Sequence, residues 1–191
     1  MNAAEPIRNG KLVKKLLNYY KNLGQTRNFL LIALCLYTGL RISDILSLKT
    51  DDVYDFDKKA VKYSIAVREK KTGKIKTIAI HAFVKMIIKK YAPRLGAKCA
   101  LLPNPQTGKA ISRVHAYRII QAAGKNAGID TKVGCHSLRK TFGYFAWKNG
   151  TPPALIMELF NHSSWSVTRR YLGITQDDIN KAYLELTFDI A

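Results

Sequence analysis

Carboxylates are scarce in this chain. Thirteen Asp and Glu stand against 32 Lys and Arg in 191 residues, a formal charge of +19. The only adjacent acidic pairs that come to notice, Asp51-Asp52 and Asp177-Asp178, do not face each other on a helix, so a two-metal nuclease site has little support. Cysteine is equally sparse. Cys35, Cys99 and Cys135 make an odd number without a CxxC spacing, which argues against a disulfide framework and a zinc site and leaves three reduced, inert thiols. Cys135 stands beside His136 but lacks a second close Cys or His to complete a metal set. No HExxH and no P-loop occurs, so neither metal nor nucleotide is expected as a cofactor. No run of 18 apolar residues is present, and the polar start Met1 to Gly10, with Pro6, resembles neither a signal peptide nor an anchor. The expectation is a cytoplasmic protein without a membrane partner.

What is abundant is positive charge and apolar surface. A hydrophobic share of 47% is enough for a proper core, and the absence of repeats, low-complexity tracts or a long linker predicts one domain over 1–191. A basic excess on this scale calls for a polyanion, and nucleic acid fits better than a membrane surface because no basic amphipathic helix dominates the chain.

Periodicity predicts helices over Lys11 to Leu23, over the all-round apolar stretch Phe29 to Tyr37 stopped by Gly39, and from an N-cap at Ser43 to Leu48. Between Asp51 and His81 the pattern alternates. Val53-Tyr54, Tyr63 to Val67 and Ile75 to Ile80 read as a small three-stranded antiparallel sheet, with Lys71-Thr72-Gly73-Lys74 at a hairpin tip. Helices resume at Phe83 to Lys90, from an N-cap at Ser112 to about Asn126, over residues 136–148, from Pro152 to Phe160 and from Thr175 to Leu186. In that last helix Ile179, Ala182, Tyr183 and Leu186 share a side that can cover the chain's own core. The fold class is therefore α+β, mostly α.

The chemistry gathers between His136 and Tyr171. On a helix over 136–148, His136 and Arg139 lie at i and i+3, so an imidazole and a guanidinium converge on one point suited to an oxyanion. His162 and the phenol of Tyr171 follow downstream, completing what a covalent attack on phosphate needs: a nucleophile, hydrogen-bond donors and a charge clamp. Arg41 ends the apolar helix, where it either pairs with Asp44 or meets an anion. Lys71, on a basic hairpin tip, is either solvated or reaches into a groove.

The series Thr38-Gly39-Leu40-Arg41, Lys71 on a hairpin, His136-Ser137-Leu138-Arg139, Asn161-His162 and Tyr171 nine positions on strongly resembles the catalytic domain of the tyrosine recombinase (phage-type integrase) family. Order and spacing agree over nearly the whole chain. The resemblance implies site-specific DNA recombination without metal or ATP, through a 3′-phosphotyrosyl intermediate. Tyr171 would attack the phosphate, Arg41 and Arg139 would hold its nonbridging oxygens, and His136 and His162 would bind the phosphate or take the phenol proton. Lys71 would protonate the leaving oxygen, and Asp44 would support Arg41. Lys74, Arg113, Arg118 and Lys140 are expected on DNA, with the helix over 113–126 in the groove.

The same resemblance implies a bacterial or phage origin on a mobile element, nucleoid association, and DNA-dependent assembly through the C-terminal helix. Lys140 and Asn161 depart from the family's frequent His and Gly. Family members often carry an N-terminal DNA-clamping domain of about a hundred residues, as the resemblance implies; here the expectation is a naturally short member, a fragment, or a protein that works with a partner supplying the clamp. A DNA-binding regulator with the same fold and no strand exchange, and a domain that only nicks and reseals, are the competing expectations.

Overall fold

A helix that is apolar on every side has to be surrounded, and that requirement organises this molecule. In the computed structural model, which describes residues 4–68, 73 and 75–188, α2 (Thr26–Thr38) is that helix: Leu30, Leu31, Ile32, Ala33 and Leu34 are fully buried. Helices α1 (Gly10–Asn22), α5 (Ala82–Tyr91), α6 (Arg113–Asn126) and α7 (Cys135–Lys148) pack around it. Each offers one apolar side. In α1 Leu16, Leu17 and Tyr20 face inward while the lysines face out, and the Tyr20 hydroxyl donates to the Ile119 carbonyl at 3.1 Å. Each fully buried Leu or Ile contributes roughly 1.5–3 kcal/mol.

Capping sets the helix ends. Asn9 accepts from the Lys11 N–H at 2.9 Å, and Ser112 accepts from the His115 N–H at 3.1 Å, the latter as its sequence position predicts. Gly39 closes α2 at φ 59°, a left-handed geometry that a Cβ would strain. At the next junction the structure differs from expectation. The short helix α3 (Ile42–Ile45) begins two residues early and ends before Leu48, with Arg41 rather than Ser43 at the cap position, because the Arg41 carbonyl already accepts from the Asp44 and Ile45 N–H groups. A second short helix, α4 (Thr50–Val53), follows.

The sheet also differs. Instead of three strands in one ladder there are two antiparallel pairs: β1 (Tyr54–Asp55) with β2 (Ala60–Val61), and β3 (Ser64–Arg68) with β4 (Ile75–Ala79). The chain turns back straight after β1, where Asp55 accepts from the Lys58 N–H at 2.9 Å and Lys59 takes φ 49°. Its partner strand β2 is two residues long, too short to show alternation. The Lys71 and Lys74 expected at the β3–β4 tip lie outside the described residues.

A second, smaller core packs against α7. Here α8 (Pro153–Phe160) and α9 (Trp165–Leu172) bury Ile156, Phe160 and Leu172, with Phe142, Trp147, Trp165 and Tyr171 packed against them. The last helix, α10 (Gln176–Leu184), ends before Leu186 and does not cover the chain's core as expected. Tyr183 and Leu186 are 78% and 62% exposed, Ile179 is half-buried, and the side chain of Ala182 lies outside the described set. From Asn180 onward every described side chain is exposed, so the apolar side of the last turns covers nothing of the chain's own. Among the described residues no helix is long and apolar enough to cross a membrane.

Two glycines let the helices approach. A Cβ on Gly39 would fall 2.2 Å from the Phe142 ring, and one on Gly143 would fall 2.5 Å from both Leu172 and Phe160. Gly39→Ala combines a left-handed backbone with this clash and is expected to lose about 2–4 kcal/mol, read as a lower urea midpoint at unchanged slope.

Candidate active site

The close approach that Gly143 permits brings α9 against α7, and with it Tyr171 against His136. Their ring centroids are 5.2 Å apart, edge to face, and His162 presents its ring to Tyr171 at 5.0 Å. The phenol is thus held between two imidazoles from different segments. Both imidazoles, Tyr171, Arg41 and Arg139 line one cleft of about 880 Å³, which Arg113 and Lys132 also border. No Asp or Glu is among its described lining residues.

Each side chain is set by its element. His136 sits in the first turn of α7, whose N-terminus turns at Gly134. Arg139, one turn on, is 6% exposed; its Nη1 donates to the Gly39 carbonyl, and its guanidinium carbon lies 4.8 Å from the centre of the Phe160 ring. Arg41 follows Gly39 by two residues, so α2's terminus holds one arginine in its own chain and anchors the other through its carbonyl. Asp44 is fully buried on α3, within 3.4 Å of the Ser43 hydroxyl.

His162 leaves α8 through Asn161, which takes the left-handed cap position at φ 57° and ψ 48°. Asn is the residue after Gly best suited to that conformation, which explains how this chain dispenses with a glycine there. The His162 N–H donates to the Met157 carbonyl at 2.9 Å, and its Nδ1 lies 3.0 Å from the hydroxyl of Thr168, which donates in turn to the Ser164 carbonyl at 3.2 Å. Thr168 is fully buried on α9, one turn before Tyr171. Sequence reasoning passed over Thr168 because α9 itself was not foreseen; Ser164 as its cap was the available signal.

Lys140, among the residues expected on DNA, is 7% exposed and holds its ammonium 5.2 Å from the centre of the Tyr171 ring. Arg118 is exposed on α6 but is not among the residues lining the cleft. Of the sequence-predicted set, Arg41, Arg113, His136, Arg139, His162 and Tyr171 line the cleft, Asp44 is not among its lining residues, and Lys71 and Lys74 lie outside the described residues.

The electrostatics follow from burial among cations. Burial pushes the Tyr171 phenol up from its ordinary value, while the Arg139 charge and hydrogen bond, and Arg41 beyond it, pull the other way. Its hydroxyl is buried without a protein partner of full hydrogen-bond geometry. Burial holds both imidazoles below their ordinary value; Lys140 and Arg139 add to this at His136, Arg139 and Arg41 at His162. Both are therefore neutral at pH 7, able to accept a proton or to share one in a hydrogen bond.

Residues 9–177 match the sequence profile of the phage integrase family. The chain is 34% identical to the probable integrase/recombinase YoeC of Bacillus subtilis, over 96% of this chain and 97% of that protein. It is 30% identical to the tyrosine recombinase XerA of Pyrococcus furiosus, over 94% of this chain and 65% of XerA. Among solved structures, a XerA recombinase superposes with a TM-score of 0.77 at 22% identity, over 96% of this chain and 66% of that one. A lambda integrase dimer bound to a core site gives 0.70 at 18% identity, over 100% of this chain and 53% of that one, so these two likenesses speak to the fold.

The depressed imidazoles make stability pH-dependent with a definite sign. Below about 6.5 the unfolded histidines bind protons that the folded ones refuse, so their contribution is whole above that value and is lost as pH falls toward the folded values. Urea midpoints are expected to drop between pH 7.5 and 5.5, where ordinary carboxylates do not titrate, and His162→Gln is expected to flatten the drop.

Proposed function

The chain belongs to the phage integrase family, and from that premise we propose that it is a site-specific recombinase that breaks and rejoins DNA through Tyr171. The observation that carries this reading is the convergence of Arg41, His136, Arg139, His162 and Tyr171 on one cleft bordered by further cations. A phosphodiester is the substrate such a cleft suits. Guanidiniums stay charged at all working pH values and bind phosphate oxygens in pairs, and fixed donors lower the cost of the charge that grows during displacement.

In this reading the Tyr171 oxygen forms a bond to phosphorus as the bond to the 5′ oxygen breaks, giving a 3′-phosphotyrosyl link and a free 5′-hydroxyl. The phenol proton passes to a neutral imidazole, His136 or His162. Lys71 gives the proton that the leaving 5′ oxygen takes up, and Asp44 supports Arg41. Arg41 and Arg139 hold the nonbridging oxygens throughout. A 5′-hydroxyl from a partner strand then attacks the link, restoring the phosphodiester and the tyrosine. The bond energy is kept in the covalent intermediate, so no ATP is required.

DNA lies along α6 in this proposal, with Arg113, Arg118 and Lys74 on phosphates; Lys140 acts from behind the tyrosine ring. Lambda integrase has been captured as a dimer and a tetramer on DNA. By analogy, copies of this chain assemble on DNA through the apolar side of α10 and the residues just after it, where Tyr183, Leu184 and Leu186 stand exposed.

The direct test is a trap. Nicked or phosphorothiolate DNA, drawn from the sequence flanking the gene and incubated without metal, is expected to give a protein–DNA adduct on a denaturing gel. Tyr171→Phe is expected to lose the adduct and keep noncovalent binding within about twofold, that binding weakening steeply with salt as counterions are released. No adduct from the wild type, with tight binding to the same DNA, would favour a regulator that keeps the fold. For assembly, Leu184→Asp is expected to leave single-copy DNA binding intact and to abolish DNA-dependent crosslinking between copies; unchanged crosslinking would assign the interface elsewhere.

A further inference from the structure

Residues 4–9 take no part in the chemistry above, yet they are fastened to both helices of the pair that carries it, at the middle of α7 and at the end of α9. Ile7 is in the main core, and its N–H donates to the Thr141 hydroxyl of α7 at 2.9 Å. The next side chain turns the other way. Arg8 sends Nη2 to the carbonyl of Gly173, the residue that caps α9 two positions after Tyr171.

We propose that Arg8 is a positioning residue for Tyr171, latching the far end of α9 to α7 through the N-terminal segment. This inference rests on the reading of Tyr171 as the nucleophile.

Several independent contacts surround the latch. A cation at a helix C-terminus meets the negative end of the macrodipole and satisfies a carbonyl the helix itself leaves open. The Arg8 guanidinium also lies 5.8 Å from the centre of the Tyr144 ring of α7, and its Nη2 is 3.9 Å from Glu5. Tyr144 donates to Asp178 Oδ1 at 3.3 Å, while Asp178 Oδ2 accepts from the Thr175 N–H at 2.9 Å and so caps α10. One network therefore joins the N-terminal segment, α7, the end of α9 and the start of α10.

Gly173 is shaped to this purpose. At φ 68° it has the left-handed backbone of a cap, and a Cβ there would stand 2.9 Å from Glu5 Oε2, 3.1 Å from Arg8 Nη2 and 3.3 Å from Pro6 Cδ. The segment is laid directly on the turn. Helix α9 has eight residues, too few to hold its own last turn, and Tyr171 is in that turn. Leu172 fixes one side of the turn beneath Gly143, and Arg8 fixes its end. A displacement of about 1 Å at a reacting atom can cost roughly a hundredfold in rate, so a frayed turn is felt in the chemical step.

The experiment compares wild type, Arg8→Ala and Arg8→Lys in the full chain. Three quantities are read: adduct rate at saturating nicked DNA, affinity for uncleavable DNA of the same sequence, and amide exchange at residues 170–174 of the free protein. Arg8→Ala is expected to slow the adduct by about tenfold or more, with affinity within twofold, and to exchange faster at 170–174. Arg8→Lys, which keeps the cation, is expected to recover much of both. A variant that reacts and exchanges as the wild type does would overturn the latch, as would equal loss of affinity and rate with exchange raised throughout the chain. Should the wild type form no adduct, the recombinase reading fails, and the exchange at 170–174 still decides whether the latch exists.

Discussion

A buried guanidinium is tolerable only where its donors are met, and Arg139 is the clearest case in this fold. Its tie to the Gly39 carbonyl does two things at once. It satisfies a donor that burial would leave costly, and it joins the second turn of α7 to the cap of α2, the helix around which the main core is built. The placing of Phe160, and through it of His162 and Tyr171, follows from that joint. The ring that faces the Arg139 guanidinium is also the ring that packs on His162 at 5.5 Å and on Tyr171 at 5.1 Å. Geometry in the cleft is thus inherited from the core, even at Arg41 and His162, which lie outside the helices, and that is how a site holds its shape before any ligand arrives.

Such a convergence of cations is unfavourable in an empty protein. Arg41, Arg139, Arg113 and Lys132 share a cleft with no acidic side chain among its described lining residues, and Lys140 stands behind it. Like charges in partly dehydrated surroundings repel, and the imidazoles, depressed first by burial, are lowered further by that repulsion. Folding stability elsewhere offsets it. The close packing against α2 and the small second core supply that stability, and the glycines at 39 and 143 make the packing possible. An anion entering the cleft relieves the repulsion, so the arrangement favours phosphate before any contact is optimised.

Much of this was legible in the sequence because it depends on local patterns. The apolar run of α2, the stop at Gly39 and the i, i+3 relation of His136 and Arg139 are each written in a few consecutive residues. What was not legible depends on distant partners. The ladder between β1 and β2 involves two residues a side, below any periodic signal, and so the sheet divides where a single one was expected. The inward turn of Lys140 is decided by the Tyr171 ring, thirty-one positions away. Asn161 read as a departure and proves to be an accommodation, since its backbone adopts the left-handed cap that a glycine would otherwise supply. The exposed side of α10 has a helical period like any other; only the geometry of the body says that it has nothing of its own to cover.

The two halves of the cleft's electrostatics also bear on each other. Without DNA, the arginines oppose the rise that burial imposes on the Tyr171 phenol. On the proposed reading, a bound phosphate spends that help, because its negative charge neutralises the same guanidiniums. The phenol then becomes harder to ionise at the moment it must attack. The imidazoles respond with the opposite sign. A negative charge in the cleft raises the proton affinity of His136 and His162, which burial and the neighbouring cations had lowered. One event therefore strengthens the base and weakens the acid, and the proton has a reason to move only as the Tyr171–phosphorus bond forms. A tyrosine with two neutral histidines at its ring needs no standing phenolate, and a buried, protonated phenol in the resting protein is the state this arrangement favours.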